Sequence, residues 1–147
     1  MRKIVLAASV ALMTAAPMAV IAAGSNTSAS VSIGDIERYV KAEKYDRAIS
    51  KAKEFLRTNP RSADAYNYLG YSERKLGNYA DAKKAYERAL KIDGDHVGAH
   101  EYYGELHITM GDIPSAEAHL AALTRICGNC AEQQELAAKV AKAKASG

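Results

Sequence analysis

A block of this chain repeats itself after 34 residues, and that step restricts the fold more than any other feature. Tyr66, Leu69, Gly70, Leu76, Gly77, Ala82, Tyr86 and Gly94 are answered, in kind and in step, by His100, Tyr103, Gly104, Met110, Gly111, Ala116, Leu120 and Gly128. One step back, Tyr79 and Ala82 meet Tyr45 and Ala48, and Gly94 meets Pro60. A fixed period of this length marks supersecondary units that cannot bury an apolar face alone and do so by stacking. Arrays of this kind present an extended surface more often than a catalytic pocket.

The units are helical. Residues 33–145 are rich in Ala, Leu, Lys, Glu and Arg, all good helix formers. Breaks fall at Asn59-Pro60, Gly77-Asn78, Asp93-Gly94-Asp95, Gly111-Asp112 and Gly128-Asn129. Asn78 and Asp112 are expected to cap the helices that follow them, with Pro114 tolerated in a first turn. The spacing predicts helices near 33–43, 46–57, 62–76, 79–91, 96–110, 113–126 and 130–144.

The pattern Tyr66-x₂-Leu69-Gly70, Ala82-x₃-Tyr86, Ala89, Gly94 resembles a tetratricopeptide repeat, a helix–turn–helix unit. The resemblance implies an all-α solenoid of helical hairpins: three units, about 29–62, 63–96 and 97–130, and a capping helix at 130–144. The repeat domain covers 33–145. Gly70 and Gly104 should let the first helix of a unit lie close to the second, and Leu136 and Val140 should face inward from the cap. His100 stands where the family prefers a large aromatic, Glu73 where a Tyr is usual, and Ala52 and Phe55 exchange large for small.

Residues 1–23 read as a signal peptide: Arg2 and Lys3, an apolar run from Ile4 to Ala16, then Pro17 and small residues up to Ala22 and Ala23. The expected destination is the bacterial periplasm or beyond. The alternative is an uncleaved anchor, since Ile4 to Ala23 would just span a bilayer as a helix. Residues 24–32 are a polar linker, expected to be flexible. Without Arg2 and Lys3 the chain carries 18 basic and 17 acidic residues, a balance that argues against nucleic acid.

Cys127 and Cys130, three apart in an exported chain, are expected to form a disulfide. The competing use is thiol exchange at a helix start, or metal handling. His96 and His100 are i, i+4, with His107 further along; core packing is the expected role of His100 and His107, and no metal or other cofactor is expected. Ala131 follows Cys130 where c-type haem attachment needs His. There is no Gly-rich phosphate loop and no nucleophile elbow, so the chain is read as a non-enzyme. The tyrosines are expected to pack within the repeats. Lys139, Lys142 and Lys144 are expected to form a solvated face.

In arrays of the resembled family the first helices line a concave groove that receives a peptide or partner helix. On this chain that places Ile33, Glu37 and Val40 on the first unit's face, Asn67, Tyr71 and Arg74 on the second, and Glu101, Glu105 and Ile108 on the third. The expected groove is formed by the last six, with Tyr71 and Arg74 at its centre. The alternative is that Tyr71 and Arg74 are merely solvated or paired within the fold, Arg74 for instance with Glu105 on the next unit. The function implied is protein–protein interaction in the cell envelope.

Overall fold

The computed structural model describes residues 30–146. The signal peptide and most of the linker lie outside the described residues. Among the described residues seven helices follow one another: α1 (Ile33–Lys41), α2 (Tyr45–Thr58), α3 (Ala63–Lys75), α4 (Tyr79–Ile92), α5 (Val97–Thr109), α6 (Ile113–Cys127) and α7 (Ala131–Ser146). They pair as hairpins α1–α2, α3–α4 and α5–α6, and α7 packs on both α5 and α6.

Local chemistry explains the helix starts. Ser32 and Asp35 form a capping box: the Asp35 N–H donates to Ser32 Oγ, and the Ser32 N–H donates to Asp35 Oδ2 at 3.0 Å. Val31 packs on the first core cluster. The end of the expected linker therefore belongs to the fold. Ser62 caps α3, and Asp112 caps α6 by accepting from the Ser115 N–H at 3.2 Å. Asn78 makes no side-chain cap. Its amide donates instead to Glu73 Oε2 at 2.9 Å, because the carboxylate standing where a Tyr was expected is buried and needs donors. Lys53 of α2 supplies another at 3.3 Å.

The core is three clusters rather than one. Ile36, Ala52 and Ala65 join the first two hairpins. Ala82, Tyr86, Tyr103 and Leu106 join the second to the third. Ala116, Leu123, Leu136 and Val140 join the third to α7. A Cβ on Gly70 would stand 2.7 Å from the Tyr86 ring on the second helix of its own unit. Gly104 departs from expectation: the three atoms nearest to where its Cβ would stand belong to Leu136 of α7, the first at 2.6 Å, and none to α6. The capping helix thus fills the gap beside Gly104 on α5.

Candidate functional site

Helices α1, α3 and α5 present their sides to a shallow cleft of about 360 Å³, lined by Glu37, Val40, Lys41, Glu43, Tyr45, Tyr68, Tyr71, Lys75 and Tyr102. Three of its tyrosines form a row: Tyr45 and Tyr71 have ring centroids 6.2 Å apart, Tyr71 and Tyr102 4.8 Å. Lys75 Nζ lies 5.7 Å from the Tyr45 centroid and 5.9 Å from that of Tyr71, within cation–π range. Glu37 and Lys41 pair with each other at 2.7 Å.

Of the residues expected in the groove, Tyr71 is at the cleft, half-buried. Glu37 and Val40 line it too, whereas Ile33 packs on the first core cluster. Arg74 takes the alternative and pairs within the fold: Nη2 donates to Glu105 Oε2 at 2.7 Å, and its guanidinium lies 5.4 Å from the Tyr71 ring. Asn67 and Glu101 are 6% and 4% exposed and offer almost no surface. The Asn67 amide nitrogen would stand 3.0 Å from a Cβ on Gly98, so it fills the gap that glycine leaves between α3 and α5. Ile108 packs on the cluster shared with α7.

Next to the cleft the charges are crowded. Glu105 also receives Lys139 of α7, which lies 3.6 Å from Glu135. Among the described residues no cation comes within 4 Å of Glu101. Burial, and then the neighbouring Glu105 and Glu135 carboxylates, push its carboxyl up to about 8. Lys139, expected in solvent, is thus a partner of the groove wall, and Lys144 reaches Glu117 at 2.7 Å.

The histidines separate. His96 caps α5, accepting the Ala99 N–H at 3.1 Å, and its other nitrogen meets Asp64. His100 and His107 are core residues, as their positions suggested. His100 Nε2 donates to the Gly94 carbonyl at 3.0 Å, which leaves Nδ1 of the neutral ring to accept from His119 Nδ1, 2.9 Å away on α6. Tyr103 sits against both His107 and His119, at 4.5 and 4.7 Å between centroids. Burial, helped by His100 and His107, pushes His119 down to about 4. Among the described residues no three His, Cys, Asp or Glu side chains are grouped so as to hold a metal ion.

Sequence reasoning missed Glu43, Tyr45, Tyr68, Lys75 and Tyr102 as lining residues because it followed one helix face and assigned the tyrosines to the interior. The available signal was the density of tyrosines: Tyr66, Tyr68, Tyr71, Tyr102 and Tyr103 in α3 and α5, with Tyr45 at the start of α2. Cys127 and Cys130 stand side by side at the α6–α7 turn, Cα atoms 5.6 Å apart, within disulfide reach. Among the described residues no helix is long and apolar enough to cross a membrane.

Two family models, each described as a tetratricopeptide repeat, match residues 36–79 and 73–140. The chain belongs to the tetratricopeptide-repeat family. Heat shock protein STI1 of Saccharomyces cerevisiae is 31% identical over 71 residues, 48% of this chain and 12% of that protein. The chain therefore matches about an eighth of that relative's length. The fold is similar to the TPR2B domain of yeast Sti1, solved in complex with pHsp70 (TM-score 0.70, 19% identity, 77% of this chain and 93% of that one). It is similar also to the type III secretion chaperone SycD of Yersinia enterocolitica, solved with a peptide of the translocator YopD (TM-score 0.66, 18% identity, 78% and 87%).

Proposed function

We propose that this tetratricopeptide-repeat protein is a non-enzymatic interaction module, exported across a bacterial inner membrane, that receives a peptide segment or partner helix in its concave groove. The observation that carries the reading is the row Tyr45–Tyr71–Tyr102 along a cleft between the first helices of successive units. Half-buried tyrosines give rigid apolar area with a polar tip, and Tyr is, with Trp and Arg, one of the residue types enriched where binding energy concentrates at protein interfaces. The solved complexes of Sti1 and SycD support a peptide as the class of ligand. Export rests on residues 1–23, and the intact mass of protein from an envelope fraction should begin at Ala23 or Gly24.

The test of the groove is capture of partners from envelope extracts by the mature protein, with Tyr71→Ala beside it. Truncation at an interface anchor costs about 2 kcal/mol or more, so captured partners should be largely lost. Lys91→Ala, on the exposed side of α4, should retain them. Equal capture by Tyr71→Ala would move the site off the groove. The Cys127–Cys130 pair supports a second reading, thiol exchange at the start of α7, which predicts turnover of a disulfide substrate that a double Ser variant loses.

A further inference from the structure

The turns inside the three hairpins are equivalent, and one of them breaks the rule the other two keep. Glu43, Gly77 and Gly111 follow one another at the 34-residue step, and all three adopt left-handed backbone, with φ of 54°, 82° and 78°. Glycine takes this conformation freely, while a residue with a Cβ meets its own carbonyl there. Among the described residues Glu43 is the only non-glycine with positive φ. Nothing lies within 4 Å of where a Cβ on Gly77 or Gly111 would stand, so those positions need the bend and not the space. At position 43 the bend is kept and a carboxylate is added.

That carboxylate lines the tyrosine cleft. Four charged residues line it altogether: Glu37 and Lys41, which neutralise each other at 2.7 Å, and Glu43 and Lys75. Among the described residues neither Glu43 nor Lys75 has an opposite charge within 4 Å, and both are exposed. Lys75 is held against the faces of Tyr45 and Tyr71. The cleft therefore has an aromatic floor, no net charge, and one unspent group of each sign. Backbone strain kept at a position that bears a lining side chain is a recognised mark of a functional site.

We propose that Glu43 and Lys75 are the specificity-determining residues of this cleft, selecting an extended peptide segment in which a basic and an acidic side chain flank an apolar one. The apolar side chain rests on Tyr71, the acidic one meets Lys75 and the basic one meets Glu43. Because the cleft is neutral overall, selection works through local pairing and not through long-range attraction. This rests on the groove reading above.

The experiment is selection of phage-displayed random dodecapeptides on the full chain, repeated on Glu43→Gly, Glu43→Asn, Lys75→Gln and Tyr71→Ala. The wild type should enrich peptides with an acidic and a basic residue around an apolar one. Glu43→Gly should melt at the same temperature or higher, since its strain is relieved, yet lose the basic preference. Glu43→Asn, which tolerates left-handed backbone without the charge, should lose it equally. Lys75→Gln should lose the acidic preference, and a selected peptide should bind each variant at least tenfold more weakly by fluorescence anisotropy. Unchanged preferences in the Glu43 and Lys75 variants overturn the proposal. Peptides enriched without charge preference, but lost on Tyr71→Ala, overturn it while leaving the groove reading intact. No enrichment by the wild type overturns both.

Discussion

Arg74 of α3 donates to Glu105 of α5 at 2.7 Å, and each side chain is only 13% exposed. The pair ties the second hairpin to the third, beside Tyr71 and Tyr102 but outside the lining of the cleft. Removing one member of a mostly buried ion pair leaves the other desolvated and uncompensated. Lys139 still reaches Glu105 and softens the loss. Arg74→Ala should therefore destabilise by about 1–3 kcal/mol, measured by urea unfolding. A double-mutant cycle with Glu105→Ala should show the two effects to be coupled. Any loss of binding in Arg74→Ala has to be judged against its altered stability.

Glu101 predicts a loss of stability on the alkaline side. Its carboxyl ionises near 4.5 when unfolded and at about 8 in the fold. Between those values the folded chain holds a proton that the unfolded chain has released, so stability falls as pH rises. Glu101→Gln should gain on the wild type between pH 5 and pH 8.5, by roughly 1 kcal/mol or more, one pKa unit being about 1.4 kcal/mol. Melting curves across that range of pH decide it; parallel curves would contradict the assignment.

His119 acts at the other end of the scale. The ring protonates near 6.5 when unfolded and at about 4 when packed against His100, His107 and Tyr103. From 6.5 down to 4 the unfolded state takes up a proton that the folded state refuses, so stability is lost on acidification. His119→Gln can still donate to His100 and should flatten this limb by on the order of 1 kcal/mol per pH unit. Its denaturation midpoint at pH 4.5 should lie closer to its own value at pH 7 than the wild type's does.

Gly70 and Gly104 should respond unequally. A Cβ on Gly70 meets three atoms of the rigid Tyr86 ring at 2.7 to 3.0 Å, whereas one on Gly104 meets the methyl end of Leu136. Gly70→Ala should cost about 1–3 kcal/mol as overpacking, partly offset by helix propensity. Gly104→Ala should cost less, because Leu136 can change rotamer. Pairing Gly104→Ala with Leu136→Val should recover part of what remains.

Cys127 and Cys130 enclose a loop so short that a bond between them stabilises by only about 2 kcal/mol on chain-entropy grounds. Protein from an oxidising compartment should show no free thiol. The double Ser variant should fold with the same circular dichroism and a loss of about 2 kcal/mol or less.

The helices were legible because glycine and proline breaks interrupt a regular apolar pattern, and a 34-residue step allows each break to be checked against another. Observed ends fall within a few residues of those expected from the spacing. What local pattern could not supply was competition from elsewhere in the fold. Asn78 has the right chemistry for a cap, but the buried Glu73 carboxylate claims its amide. Asn67 and Glu101 share a face with Tyr71 and Glu105 by spacing, and their burial comes from how closely neighbouring helices approach. His119 carried a usable sign: it lies one repeat step from Ala85, a buried position, so its ring had to face inward. The cleft itself was partly hidden because Tyr45 belongs to a second helix and Tyr102 lies one residue off the face being followed.

The three core clusters share no residue with one another. A chain built this way behaves as a row of coupled neighbours, and its cohesion is the sum of local links. The outer links each have a neighbour on one side only, so protection of backbone amides from solvent exchange should be greatest around Tyr86 and Leu106 and decline towards α1 and α7. The cleft spans that gradient, with its Tyr102 wall on the firm middle and its Glu43 turn on the looser end. A ligand bridging the two would stiffen the N-terminal hairpin, and slower exchange in α1 would report its arrival from a distance.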